Sequence, residues 1–501
     1  MKNKFIIPAV YFLCSMLSFA ASAQNPEREN YRPAFHFSPK EHWMNDPNGM
    51  VYHNGVYHLF FQYNPGGTTW GPMHWGHATS RDLFHWEEKP IALYPDSLGT
   101  IFSGSAVIDK DNTAGFGKKA MVAIFTHHNQ KIEEAKTGLH QYQSLAYSTD
   151  EGESWTKYKG NPVLPNPGIT DFRDPKVMWF EAGKKWIMTL ATKDRITFYS
   201  SPNLKSWKLE SEFGANLGAH GGVWECPDLF PLKSNGKTIW VLLVSINPGG
   251  PNGGSATQYF TGNFDGNKFT PNTTKEKWVD YGTDNYAGIT WSNTGDRKIF
   301  LGWMNNWQYA NQVPTKAWRG ATTIARELSI ESVGNDLFLR SIPVKEMSPL
   351  LKPVYTKANI VTGKELNLSP YVKPLNGKLK LDLGLEKSAL NITFENSEGN
   401  QLVIGYDEKN NNYFIDRSKS GDTSFEKGFA KKHLAPRIST SKILKLSLVL
   451  DETSVELFSD NGLTVMTDIF FPKSSWNTLK IRTSTGVKLN DISIWGIDPK
   501  K

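Results

Sequence analysis

Asp46-Pro47-Asn48-Gly49-Met50-Val51-Tyr52, followed closely by Val56-Tyr57-His58-Leu59-Phe60-Phe61-Gln62-Tyr63, is the stretch from which the fold is read. Both segments are short, apolar and without helical period, so they read as strands. The pair then recurs. Ser103 to Ile108 precedes Met121 to His127, Asp174 to Phe180 precedes Trp186 to Ala191, and Asp228 to Leu232 precedes Ile239 to Ile246. Gly288 to Trp291 precedes Ile299 to Met304. The second runs start roughly 50–70 residues apart, the range in which repeats signal propellers or solenoids.

A second element recurs behind the strands. Ser80 to Trp86 and Ser201 to Trp207 share one spacing with a Leu and a turn inside, Ser148 to Trp155 has one residue more, and Asn263 to Gly266 is a weaker copy. The unit is three or four antiparallel strands, repeated five times. Radial packing of such sheets gives a five-bladed β-propeller over residues 33–343. The alternative is an all-β sandwich whose spacing is coincidental.

Three carboxylates stand beside a proline at the start of these runs: Asp46 in W-M-N-D-P-N-G (43–49), Asp174 in F-R-D-P (172–175) and Glu225 in W-E-C-P-D (224–228). One such acid alone reads as a turn carboxylate. Three in matching positions of a repeat converge on one mouth of a propeller channel. Aligned on the prolines, Asp46 and Asp174 share a slot and Glu225 falls one residue earlier. Convergent acids without metal ligands suit glycoside cleavage, in which one carboxylate attacks and another protonates the leaving oxygen. Asn45 and Asn48 are expected to keep Asp46 ionised, and Arg173 to keep Asp174 charged. An apolar collar of Trp224 and Cys226 is expected to raise the pKa of Glu225. Cys226 itself reads as packing.

After Pro343 the pattern changes. Ser348 to Val361, with Pro349 and Pro353, reads as a linker. Beyond it Leu379, Leu381, Leu383 and Leu385, then Leu444, Leu446, Leu448 and Leu450, alternate strictly, and two hairpins turn at Asn410-Asn411 and Asp460-Asn461-Gly462. One buried and one wet face over many short strands predict a β-sandwich at 354–500.

The 501-residue chain is 39% hydrophobic and 13% aromatic, which fits two globular domains. Residues 1–23 read as a secretory signal: Lys2 and Lys4, an apolar run from Phe5 to Phe19, then Ala21-Ser22-Ala23. Leu13 before Cys14 argues against a lipoprotein site. Without that segment Cys226 is the sole cysteine, so no intrachain disulfide forms. The net charge of +7, less the two signal lysines, is too small to indicate nucleic acid. No run is long enough to span a membrane. The histidines, His127-His128 among them, lack metal-site spacing, and there is no P-loop or dinucleotide fingerprint.

These motifs resemble glycoside hydrolase family 32, the β-fructosidases that include levanases, exo-inulinases and invertases. Phe61 to Pro65, Trp75 to Ala78, Phe102 to Ala106, Trp303 to Tyr309 and Asp451 to Gly462 carry the likeness further. Gly71 to His77 and Gly221 to Trp224 look most like bacterial levanases and exo-inulinases. The resemblance implies Asp46 as nucleophile, Glu225 as acid/base and Asp174 as transition-state stabiliser. It implies Asn45, Gln62, Trp70, Phe102, Ser103, Arg173 and Trp303 around the terminal fructose, with no metal and no organic cofactor. The expected partners are fructan and sucrose. The expected location is periplasm, cell surface or medium. The same residues serve a fructosyltransferase, and a non-catalytic sugar-binding propeller is the reading from another class. Linkage preference, β-2,6 or β-2,1, is not written in the motifs.

Overall fold

The computed structural model describes residues 31–484 and 486–500. The segment read as a signal lies outside the described residues. Five sheets build the N-terminal part. The first holds His42–His53, Val56–Asn64, His74–Ser80 and Trp86–Leu93; the second Thr100–Asp109, Ala120–His128, Gln141–Ser148 and Thr156–Lys157. Phe172–Phe180, Lys185–Thr192, Arg195–Ser201 and Lys208–Phe213 form the third, and Val223–Ser234, Lys237–Asn247, Ala256–Phe264 and Phe269–Pro271 the fourth. The fifth is Tyr286–Thr290, Ile299–Trp303, Arg326–Val333 and Asp336–Pro343. The first strand of each sheet contacts the first strand of the next, and Tyr286–Thr290 returns to His42–His53, closing a ring. This is a five-bladed propeller. Blade cores are apolar on both faces, which is why the second strands read as unbroken runs: Ala120–His128 is buried throughout.

The Ser-to-Trp repeat is the turn between the third and fourth strands. In blade 1 Ser80 Oγ accepts from Leu83 N (2.8 Å), Asp82 Oδ1 accepts from Phe84 N and His85 N, and Trp86 Nε1 donates to Leu83 O. Blade 3 repeats it with Ser201, Asn203, Leu204 and Trp207. Side-chain oxygens replace ladder partners here, so the residue types are fixed by the turn.

The C-terminal part is a sandwich of two six-stranded sheets. Leu379, Leu381, Leu383 and Leu385 pair with Leu450, Leu448, Leu446 and Leu444 across one of them, all facing one core. The expected linker is a correction. Lys345–Leu350 is a 3₁₀ turn, and Leu351–Val361 is an eleven-residue strand paired with Lys488–Ile497. It is a sheet edge with most side chains in solvent, so it carries no alternation, and a bulge after Pro353 accommodates the proline.

Buried charge joins the two parts. Arg326 donates to Asp280 (2.9 Å), to Glu456 through Nε (3.0 Å) and Nη2, and to Thr467 Oγ1. His36 bridges Asp451 (2.7 Å) and Glu456 (2.9 Å). Arg417 donates to Asp284 (2.6 Å) and to Tyr309, whose hydroxyl donates to Asp284, while His433 meets Asp468 (2.8 Å). Asp451 and Glu456 belong to the Asp451–Gly462 motif, so that motif is the sandwich's side of this seam.

Candidate active site

Every innermost strand of the propeller carries one extra residue at the same place. Against the second strand, register shifts fall between Asn45 and Pro47, Ile101 and Gly104, Arg173 and Lys176, Glu225 and Asp228, and Tyr286 and Ile289. Such a bulge re-aims side chains. Its unpaired residue has φ of +22° at Asp46, +64° at Asp174, +44° at Cys226 and +51° at Ala287. Left-handed backbone at four non-glycine positions is strain concentrated at one place. The next residue is Pro47, Gly104, Pro175, Pro227 or Gly288. A Cβ at Gly104 would lie 2.1 Å from Ile124 O, and one at Gly288 2.1 Å from Phe300 Cζ. Only a residue without Cβ fits there.

The bulges deliver two rings of side chains. Asp46, Ser103, Asp174 and Cys226 occupy the bulge slot; Asn45, Phe102, Arg173, Glu225 and Tyr286 precede it. In the first ring Ser103 Oγ donates to Asp46 Oδ2 (2.9 Å), and Cys226 Sγ lies 3.6 Å from both Asp46 Oδ2 and Asp174 Oδ2. Cys226 N donates to Asp174 Oδ2 (3.0 Å). In the second ring Arg173 donates to Glu225 Oε1 (2.9 Å) and Asp171 Oδ1 (2.5 Å), and Tyr286 OH donates to Glu225 Oε2. The one-residue offset of Glu225 is thus a change of ring. It hands the third acid different neighbours from the other two.

Three expectations about charge are corrected. Glu225 has no apolar collar: Trp224 is fully buried in a core beside blade 3, Cys226 points at the other two acids, and Glu225 faces a guanidinium and a phenol. Strand alternation sends sequence neighbours to opposite sides. Arg173 serves Glu225 rather than Asp174, from which its Nε stands 4.0 Å. Burial therefore pushes Asp174 up to about 7; Arg173 opposes this, and the Glu225 and Asp46 charges add to it. Burial and the Glu225 charge likewise push Asp46 up to about 6, against Asn45, Ser103 and Cys226. Cys226 is more than packing, since burial and the surrounding acids hold its thiol protonated as a donor between them.

Asn45, Gln62, Trp70, Phe102, Ser103 and Arg173 line a pocket of about 310 Å³ with the three acids. Trp303 does not reach it: fully buried, it packs 4.9 Å behind Trp307, which forms the wall instead. Asp46 Oδ1 and Gln62 Nε2 are buried without a protein partner, the condition of groups awaiting a polar ligand. His128, Glu133, His140 and Asp171 also border the pocket. They come from loops and strand ends with no periodic signal, and nothing in their spacing announces them.

A polar pocket with three carboxylates at a propeller mouth defines a glycoside hydrolase. The family description "Glycosyl hydrolases family 32 N-terminal domain" matches residues 36–341, and "Glycosyl hydrolases family 32 C terminal" matches 350–496. The chain is 45% identical to a levanase of Bacillus subtilis (strain 168), over all of this chain and 76% of that protein. It is 40% identical to an extracellular exo-inulinase of Aspergillus awamori, over 96% of each. The crystal structure of exo-inulinase from Aspergillus awamori superposes with a TM-score of 0.85 at 38% identity, covering 94% of this chain and 99% of that one. A fructofuranosidase from Schwanniomyces occidentalis complexed with fructose gives 0.84 at 34% identity, covering 94% and 99%. The protein belongs to glycoside hydrolase family 32.

Proposed function

We propose that the protein is an exported, retaining exo-β-fructosidase that releases fructose from the non-reducing ends of levan- or inulin-type fructans and also cleaves sucrose. The observation that carries this reading is the meeting of Asp46, Asp174 and Glu225 in one pocket, with Asp46 Oδ1 buried and free. Asp46 attacks the anomeric carbon of the terminal fructose while Glu225 protonates the departing oxygen. Water, deprotonated by Glu225, then releases the sugar. Asp174 accepts ring hydroxyls and stabilises positive charge on the oxocarbenium-like transition state. The raised values of Asp46 and Asp174 leave the acid cluster holding a proton near neutrality. Those two carboxyls interact, so the proton belongs to the pair rather than to either member.

Exo action is supported by the name exo-inulinase among its relatives. The names levanase and extracellular exo-inulinase among its relatives support fructan as substrate and export as address. Initial rates on levan, inulin and sucrose with product sizing test the reading. Free fructose as the sole small early product from levan and inulin, and fructose with equimolar glucose from sucrose, is expected, the fructose born as the β-anomer in proton NMR. Products of two or more units from levan at early times, or an α-anomer first, refute it; fructan growth at high sucrose shows a transferase.

A further inference from the structure

Blade 2 carries a long departure from blade geometry at the pocket: the hairpin 129–140, between Ala120–His128 and Gln141–Ser148. Asn129 N donates to His140 O (2.8 Å) at its base, and the short helix Gln130–Glu134 lies within it. That helix holds Glu133 against two buried imidazoles, with Oε2 3.1 Å from His128 Nε2 and Oε1 3.8 Å from His140 Nε2. From this arrangement we propose that Glu133 is a substrate-binding residue for the second sugar unit, the one that departs. The proposal rests on the exo-fructosidase reading above and extends it outward from the first fructose.

Three observations support it. First, the histidines fix Glu133 as an acceptor. Gln141 Oε1 is taken by Phe172 N (2.8 Å), so its amide nitrogen faces His128 Nδ1 (3.4 Å). That leaves the His128 proton on Nε2, donated to Glu133. Burial keeps His128 below its ordinary value and hence neutral. The same tautomer argues against a metal among His128, Glu133 and His140, although their ligand atoms lie within 4.8 Å. Second, Glu133 Oε1 stands beyond hydrogen-bond reach of His140 and is left to accept from a ligand.

Third, depth separates the acids. The Asp174 and Glu225 side chains are 6% and 19% exposed, whereas Glu133 is 44% exposed. A sugar seated at Asp46 fills the bottom, so the rim meets the next unit. Trp70, 45% exposed, stands edge-on to Phe102 (6.2 Å), and Phe102 stacks on His128 (4.4 Å between centroids, 3° between planes). An aromatic face and a held carboxylate are the two groups that bind a neutral sugar with adjacent hydroxyls.

Kinetics of Glu133→Ala on β-2,6- and β-2,1-linked fructotrioses, compared with p-nitrophenyl β-fructofuranoside, test this. The aryl leaving group has no hydroxyls for Glu133 to accept. kcat/KM should fall about tenfold on at least one triose, in KM, and less than twofold on the aryl fructoside, the size of a lost hydrogen bond to a charged group. Equal losses on all substrates would mean that Glu133 only props Phe102, and no loss on either triose would mean that it touches no sugar. Either result overturns the proposal. A binding arm needs no turnover: calorimetry on Asp46→Asn, with and without Glu133→Ala, should show about tenfold weaker binding of the affected triose and unchanged binding of fructose. Unchanged triose binding also overturns it. Failure of the exo-fructosidase reading shows elsewhere, as wild-type protein that frees no fructose from any of these substrates.

Discussion

The seam between propeller and sandwich buries Asp280, Asp284, Asp451, Glu456 and Asp468 beside Arg326, Arg417, His36 and His433, whereas the propeller mouth gathers Asp46, Asp174 and the half-buried Glu225 around one guanidinium, that of Arg173. In the seam nearly every charge has an opposite partner. Burial alone would lift Glu456, but Arg326 and His36 outweigh it and hold the carboxyl below its ordinary value. Asp468 is held down in the same way by His433 and Arg417. His36, despite burial, is raised to about 9 by Asp451 and Glu456 and stays protonated at neutral pH. Asp284 is the exception, since burial carries it upward even against Arg417. In the mouth the Arg173 guanidinium is taken up by Glu225 and Asp171, so Asp46 and Asp174 rise. Balanced burial serves structure. Unbalanced burial leaves carboxyl groups poised to give, take or share protons near neutral pH.

Substitution should separate the two regions cleanly. Asp46→Asn removes the attacking oxygen, and kcat on levan or inulin should fall by roughly 10³-fold or more while circular dichroism stays unchanged. A variant keeping a tenth of wild-type turnover would remove Asp46 from the chemistry. Arg326→Met should do the reverse. It strands Asp280 and Glu456 in the seam and should cost roughly 3–5 kcal/mol in denaturant unfolding. Activity of the fraction still folded should remain within a few-fold.

A finer contrast lies in the sign of the pH effect on stability. Asp46 rises from an ordinary 3.8 to about 6 on folding, so its ionisation costs stability that is lost as pH rises through that interval. Asp46→Asn should therefore stabilise the protein by about 1–3 kcal/mol at pH 8, with the gain vanishing near pH 3. Glu456 has the opposite sign: held low, it supports the fold above its unfolded value of 4.5, and acid should loosen the seam. Smallest in size is the activity profile. kcat/KM should lose about tenfold per pH unit below about 6, where Asp46 takes up a proton. A limb near pH 4 would mean that Asp46 is not raised.

Much of this was legible in the chain because the repeat constrains it five times over. Blade strands are buried on both faces and read as apolar runs; turn residues such as Ser80, Asp82, Ser201 and Asn203 read as turns because their side chains cap backbone amides. The acids were legible because a bulge in an inner strand leaves a signature, an unusual backbone residue followed by Pro or Gly. Their electrostatics were not. Trp224 and Cys226 adjoin Glu225 in sequence, but the bulge and strand alternation turn them elsewhere, and Tyr286, which does touch it, comes from another blade. Leu351–Val361 leaves no strand pattern in the sequence because an edge strand needs no apolar face. The choice between Trp303 and Trp307 depends on the path of a loop, and Glu133 sits on a hairpin with no period to mark it.

The central claim is that Asp46 is the group that bonds to the sugar. Glu225→Gln incubated with p-nitrophenyl β-fructofuranoside tests it most directly: the good leaving group needs no proton donor, while loss of the base slows release of the intermediate. Peptide mass analysis should find one added fructosyl unit on the peptide containing Asp46. A fructosyl group on Asp174, or turnover with no adduct at any residue, would contradict it.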